Sequence, residues 1–232
     1  VSKTAKTHTA TALVSVTDKE GLTELALALR DAGLAIIASS GTKTFLEEKG
    51  VEVREISDYT KSPEILGGRV KTLHPKIHGG ILADRDNAEH VRTLEDQATQ
   101  PIDVVVVNLY PFEEKARTGL SPDQLIEYID IGGITLIRAA AKNHKHVTVL
   151  THPSQYAAVV AELKSAGATS AKTRARLAAP PSRTRSAGHS LPTRSRSGSR
   201  SGCRRSPTSV MARTHTSGER FIERWSIRRW SI

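Results

Sequence analysis

Cysteine is nearly missing from this sequence: 232 residues contain one, Cys203. A single thiol excludes a disulfide within the chain and a cysteine-based metal site, and it fits a reducing cytosol. No apolar run approaches the roughly 20 residues of a membrane span. The opening Val1-Ser2-Lys3-Thr4-Ala5-Lys6-Thr7 lacks the apolar segment of a signal peptide. The expectation is a soluble, cytoplasmic protein with no membrane partner. Lysine and aspartate are missing from one region only. Pro180–Ile232 has 12 Arg and two Glu but neither Lys nor Asp, and so carries the entire net charge of +10. Residues 1–179 hold 22 basic and 22 acidic side chains. They have no global attraction for nucleic acid or membrane, so any anion they bind must be held by local geometry.

What is present alternates. Short β-branched runs at Thr11–Val16, Leu34–Ser39, Val51–Ile56, Asp103–Asn108 and Val147–Thr151 predict strands. Val104–Val107 is apolar on both faces, the mark of a parallel strand covered by helices on either side. Between the strands, Lys19–Ala32 repeats Leu22, Leu25, Leu29 and Ala32 at helical spacing. Thr42–Lys49, Asn87–Gln97, Pro122–Tyr128, Ile134–Ala141 and Pro153–Ser165 also predict helices, with Gly33 and Gly50 each following a helix end. The pattern predicts a doubly wound α/β domain with a mostly parallel sheet over residues 11–179, preceded by an extension over 1–10. Composition breaks at Pro180. Beyond it come Ser-Arg dipeptides, three prolines, and no hydrophobic periodicity before Phe221. A disordered basic tail is expected over 180–232, because such a segment buries too little apolar surface to offset its ordering entropy.

In open α/β sheets, ligands sit outside the carboxyl ends of the strands. Five segments follow predicted strands or flank them. Ser15-Val16-Thr17-Asp18-Lys19 and Ser39-Ser40-Gly41-Thr42 each lead into a helix. Together they could form a phosphate pocket from helix N-termini, hydroxyls and Lys19. They are equally consistent with ordinary N-capping by Thr17 and Ser40. Gly67-Gly68-Arg69-Val70-Lys71-Thr72-Leu73-His74-Pro75-Lys76-Ile77-His78-Gly79-Gly80 is glycine-rich and cationic, and glycine lets backbone approach a ligand closely. It predicts an active-site loop. A metal pair of His74 and His78 lacks an evident third ligand, so no metal site is expected. Asn108 and Tyr110 end a buried strand and can supply directional hydrogen bonds. In Ile129-Asp130-Ile131-Gly132-Gly133, the acid is either a helix cap or a placed acid or base. Lys142 is either a helix-end cation or a ligand contact.

The motifs S-V-T-D-K, S-S-G-T, G-G-R-V-K-T-L-H-P-K-I-H-G-G, N-L-Y-P-F, I-D-I-G-G and R-A-A-A-K-N-H resemble, in order and spacing, the bifunctional IMP cyclohydrolase/AICAR transformylase family over Ala12–Ala179. The resemblance implies a methylglyoxal-synthase-like fold. It implies closure of 5-formamidoimidazole-4-carboxamide ribotide to IMP with loss of water, without metal or redox cofactor, in a homodimer. The ribotide 5′-phosphate would then fall to Ser15, Lys19, Ser39, Gly41 and Thr42. Lys71, with Lys142 as second choice, would stabilise the formyl oxyanion. Asp130, with Tyr110 as partner, would handle protons. Arg69, Thr72, Asn108 and Gly132 would position the substrate. The family's 10-formyltetrahydrofolate-dependent transformylase domain does not follow residue 179, so that second activity is not expected.

Two other functions compete. Methylglyoxal synthase and the effector domain of carbamoyl-phosphate synthetase resemble the same wider superfamily, but the R-V-K-T-L-H-P loop argues against both. The Arg194–Ser201 stretch looks like an RNA-associated Arg/Ser segment. It has a rival explanation. When codons permitted by Thr208–Trp225 are read one base earlier, they can spell L-R-Y-G-E-N-P-H-Q, a signature near the start of the family's transformylase domain. The tail is therefore expected to be out-of-frame sequence and not a nucleic-acid-binding element.

Overall fold

A computed structural model of the chain describes residues 10–109 and 112–179. Five strands, β1 (Thr11–Ser15), β2 (Ala35–Ala38), β3 (Arg54–Glu55), β4 (Val104–Val107) and β5 (Thr148–Leu150), form one sheet in the order β3-β2-β1-β4-β5. Every pairing is parallel, with Leu13 opposite Ile37 on one side and Val105 on the other. The helices are α1 (Leu22–Asp31), α2 (Ser40–Glu47), α3 (Ile56–Thr60), α4 (Pro75–Leu82), α5 (Ala88–Asp96), α6 (Phe112–Ala116), α7 (Pro122–Ile126), α8 (Gly132–Lys142), α9 (Tyr156–Ala166) and α10 (Ala171–Ala178). The expected α/β fold is present. All four valines of β4 are buried, as their two-faced apolarity predicts. No helix among the described residues is long and apolar enough to cross a membrane. The tail expected from Pro180 onward lies outside the described residues.

The core runs along both faces of β1 and β4. Leu22, Leu25 and Leu29 of α1 join it with no exposed surface, and Val159, Val160 and Leu163 of α9 pack on the same side through the α1–α9 contact. Leu136 and Ala140 of α8 meet Ile77 and Ile81 of α4. Helix α1 begins at Leu22 rather than Lys19, because Gly21 enters it with φ 66°, a left-handed turn that glycine adopts at little cost. The predicted strand Val51–Ile56 shrinks to Arg54–Glu55, since α3 takes over at Ile56.

The Gly67–Gly80 segment divides in two. Its second half is α4, with His74 as N-cap and Pro75 at the first helical position, where proline lacks only an N–H that would be unpaired anyway. Gly80 is a packing residue: a Cβ there would stand 2.6 Å from the Gln100 carbonyl oxygen. The reading of this whole segment as a ligand loop is corrected to its first half.

Candidate active site

The strand order reverses at β1, with β2 and β3 on one side and β4 and β5 on the other. Chain connections diverge at such a point and leave a crevice beyond the carboxyl ends. A cavity of about 770 Å³ occupies it, well within the range of small-molecule sites. Of the thirteen residues singled out above, eleven line it: Ser15, Lys19, Ser39, Gly41, Thr42, Arg69, Lys71, Thr72, Asn108, Asp130 and Gly132. Tyr110 lies outside the described residues. Lys142 is exposed at the far end of α8, about 15 Å from Gly132 at 1.5 Å rise per residue. Its neighbour Asn143 donates to the carbonyls of Ile81 and Ala83 at the end of α4. Within one chain, Lys142 therefore does not reach the cavity, because the helix that starts there carries it away.

The two hydroxyl-rich turns meet. Ser15 Oγ donates to Ser39 Oγ at 3.2 Å, Ser39 Oγ to Thr42 Oγ1 at 3.3 Å, and Thr42 Oγ1 to the Val16 carbonyl at 3.3 Å. Thr42 Oγ1 also accepts from the Val16 N–H at 3.2 Å. Ordinary capping by Thr17 and Ser40 is not what these residues do. Helix α1 is entered at Gly21 and α2 at Ser39, neither with a side-chain cap. The first N–H groups of α2 thus keep their donor capacity at the cavity. Lys19 Nζ stands 5.8 Å from the centroid of the Phe45 ring, a cation–π contact that steadies its long side chain.

Asn108 is committed to the first turn. Its Oδ1 accepts from the N–H of Thr17 at 2.6 Å and of Asp18 at 3.1 Å, and its Nδ2 donates to the Asp18 carbonyl at 2.7 Å. An expected substrate contact is therefore at least as much a brace that holds the β1 turn to the end of β4. Burial, then the Asp18 carboxylate, push the Tyr156 phenol up to about 12. It stays protonated throughout the working range.

Asp130 Oδ1 accepts from the Gly133 N–H at 2.6 Å in the first turn of α8, and Asp130 also lines the cavity. Both glycines of I-D-I-G-G pack closely against cavity side chains, so a larger residue would displace Thr72 or Asp130. A Cβ on Gly132 would stand 2.4 Å from Thr72 Oγ1, and one on Gly133 would stand 2.4 Å from Asp130 Oδ2. Thr72 is buried, while Lys71 and Asp130 are half-buried. A cation, an acid and a helix N-terminus thus line the same cavity as the hydroxyl turns and Lys19. Such a set of groups can hold a phosphate and act on a polar group of the same ligand.

Sequence reasoning missed two lining acids, Glu64 and Glu127. Glu127 fell inside a predicted helix, but α7 stops at Ile126, and Glu127 turns out to pair with Arg69 across the cavity mouth. Glu64 precedes the glycine-rich segment without any compositional signal. One further group, Asp84, Asp86 and His146, has potential ligand atoms within 4.8 Å of each other. It lies near the amino end of β5, and Lys145 already pairs with Asp86.

The chain resembles known proteins over most of its described length. Residues 21–135 match the MGS-like domain, and residues 140–186 match the AICARFT/IMPCHase bienzyme family. The bifunctional purine biosynthesis protein PurH of Persephonella marina is 56% identical over 167 residues, which cover 72% of this chain and 32% of that protein. PurH of Clostridium perfringens is 54% identical, covering 72% and 33%. A crystal structure of ForH superimposes with a TM-score of 0.64 at 34% identity, covering 73% of this chain and 89% of that one. The chain spans about a third of the length of the curated relatives it matches. It belongs to the family of the bifunctional purine biosynthesis proteins, with the MGS-like domain of that family over residues 21–135.

Proposed function

We propose that this cavity closes 5-formamidoimidazole-4-carboxamide ribotide to IMP. The observation that carries the reading is the meeting of the Ser15–Lys19 and Ser39–Thr42 turns with Lys71 and Asp130 around one cavity. The turns suit a phosphate of about two negative charges. The carboxamide nitrogen attacks the formyl carbon, and negative charge develops on the formyl oxygen. Lys71 is the cation for that oxygen, worth roughly 10²–10³ in rate. The attacking nitrogen loses a proton and the departing oxygen leaves as water, having gained protons. Asp130 is the cavity's candidate for that traffic, worth roughly 10²–10⁴. The full chain should form IMP without added metal or folate, followed by the absorbance change of ring closure. A folded chain that forms none refutes the reading.

A homodimer is part of the proposal. Ile126 and Ile131 line the cavity mouth and are about half exposed, as is Ile65 nearby, while Leu66 is exposed further. An apolar rim of this kind favours a second protein surface. Sedimentation should give twice the chain mass. Residues 180–232 are proposed to be out-of-frame sequence with no part in activity. The nucleotide sequence around the codons for Ala179 and Pro180 decides it.

A further inference from the structure

The cavity contains an acid that the chemistry above leaves unused. Glu64 lines it together with the cations Lys19, Arg69 and Lys71. A carboxylate beside a phosphate site repels the bound dianion, so its presence there calls for a donor on the ligand. Its protein partners do not exhaust it. Ser40 Oγ lies 2.8 Å from Glu55 Oε1 and 3.0 Å from Glu64 Oε1. One hydroxyl has one proton to give, and Glu55 is the nearer acceptor. Among the described residues Glu64 forms no ion pair. Its Oε2 lies 3.5 Å from the point where a Cβ on Gly68 would stand, so its second oxygen turns toward the Gly67–Gly68 edge of the cavity. It is half-buried, and a partly desolvated carboxylate gains more from a donor than one in water.

The location narrows the donor. Ser40 stands between Ser39 and Gly41 of the phosphate turn, so Glu64 sits beside the end where the 5′-phosphate is read. In a ribotide, the unit next to that phosphate is the sugar, and its 2′- and 3′-hydroxyls are two neighbouring O–H donors. We infer that Glu64 accepts hydrogen bonds from the ribose 2′,3′-hydroxyls and makes the cavity selective for ribotides over their deoxy counterparts. The inference rests on the ribotide reading above. A rival role, bracing α2 through Ser40, is separable because Glu55 makes the same Ser40 contact without lining the cavity.

The test is calorimetric titration of the full chain with IMP, 2′-deoxy-IMP and 2′,3′-dideoxy-IMP. The unsubstituted chain should bind IMP about 10- to 100-fold more tightly than the dideoxy nucleotide, as a hydrogen bond to a charged acceptor implies. In Glu64→Gln that ratio should fall below about 3-fold. The dideoxy nucleotide should bind no more weakly than before, which also reports that the variant is folded. Glu55→Gln should keep the original ratio. If Glu64→Gln does not fold, Glu64→Asp, which withdraws the carboxylate by one methylene, should lower the ratio instead. Equal binding of the three nucleotides by the unsubstituted chain overturns the inference alone. So does an unchanged ratio in the Glu64 variants, or an equal loss in Glu55→Gln. Failure of the unsubstituted chain to bind IMP at all overturns the ribotide reading with it.

Discussion

The two ends of the one sheet treat polar side chains in opposite ways. At the amino end, charges are spent on each other. Arg85 pairs with Asp103 at 2.5 Å and donates to the Ile102 carbonyl at 2.9 Å. Asp103 in turn accepts from the Thr11 N–H at 2.7 Å, tying two strand starts together. Arg174 of α10 donates to the carbonyls of His144, Lys145 and Thr169, and His146 meets Asp84 at 3.0 Å. At the carboxyl end Arg69 still pairs with Glu127, but Lys19, Lys71 and Asp130 line the cavity and form no ion pair among the described residues. Charges that neutralise each other hold a fold together. Charges held apart around a cavity cost stability and remain available to a ligand.

Substitutions at the two ends should separate activity from stability. The largest effect is expected at Lys71. Lys71→Ala should lower kcat by roughly 10²-fold or more with little change in Tm, as an oxyanion contact does. Lys19→Ala should act mainly on KM, because a phosphate contact is similar in ground and transition states. A normal kcat in Lys71→Ala would break the assignment of chemistry to this wall.

At the amino end, Asp103→Ala should leave kcat per folded molecule intact and destabilise by about 2 kcal/mol. The penalty for orphaning one partner of a buried pair is about 3–5 kcal/mol, reduced here because Arg85 and Asp103 keep 24% and 21% of their side-chain surface in solvent. Chemical denaturation measures it, and an activity loss exceeding the stability loss would blur the division. Gly80→Ala should cost about 1–2 kcal/mol. Overpacking against the Gln100 carbonyl costs about 1–3 kcal/mol, and alanine's better helix propensity returns up to about 1 kcal/mol. A thermal melt above that of the unsubstituted chain would show that α4 shifts freely.

The smallest effect concerns acid. Asp84 is held below the usual carboxylate range, first by the Asp86 N–H and then by His146. A depressed carboxylate contributes stability above its ordinary pKa and loses it as pH falls through the folded value. Below pH about 4, the unsubstituted chain should therefore lose stability slightly faster than Asp84→Asn, read as a narrowing gap in Tm. A gap that widens on acidification would contradict the Asp84–His146 contact.

Much of this molecule is legible in one dimension. β-branched runs and helical repeats are local, so they mark the five strands and the long helices, and the two-faced valines of β4 announce a covered parallel strand. The strand-end rule, the glycine-rich segments and the family resemblance together point to eleven cavity residues. Three features resist that reading. The glycines of G-G-R-V-K-T-L-H-P-K-I-H-G-G look alike in sequence, yet Gly67 and Gly68 line the cavity while Gly79 and Gly80 belong to a packed helix. Asn108 reads as a ligand contact until the β1 turn 90 residues away occupies its amide. Lys142 belongs to a run of motifs, but a straight helix separates it from them.

By itself, then, the sequence determined the α/β class, the strand-end turns and the neutral domain charge, because periodicity, capping chemistry and charge count depend on residues close in the chain or on none in particular. Only the tertiary structure decided which strand ends are neighbours, which glycine lines the cavity and which packs on backbone, and that Glu64 and Glu127 join the cavity wall. Those outcomes depend on distances between segments far apart in the chain, and such distances are set by sheet order and helix packing.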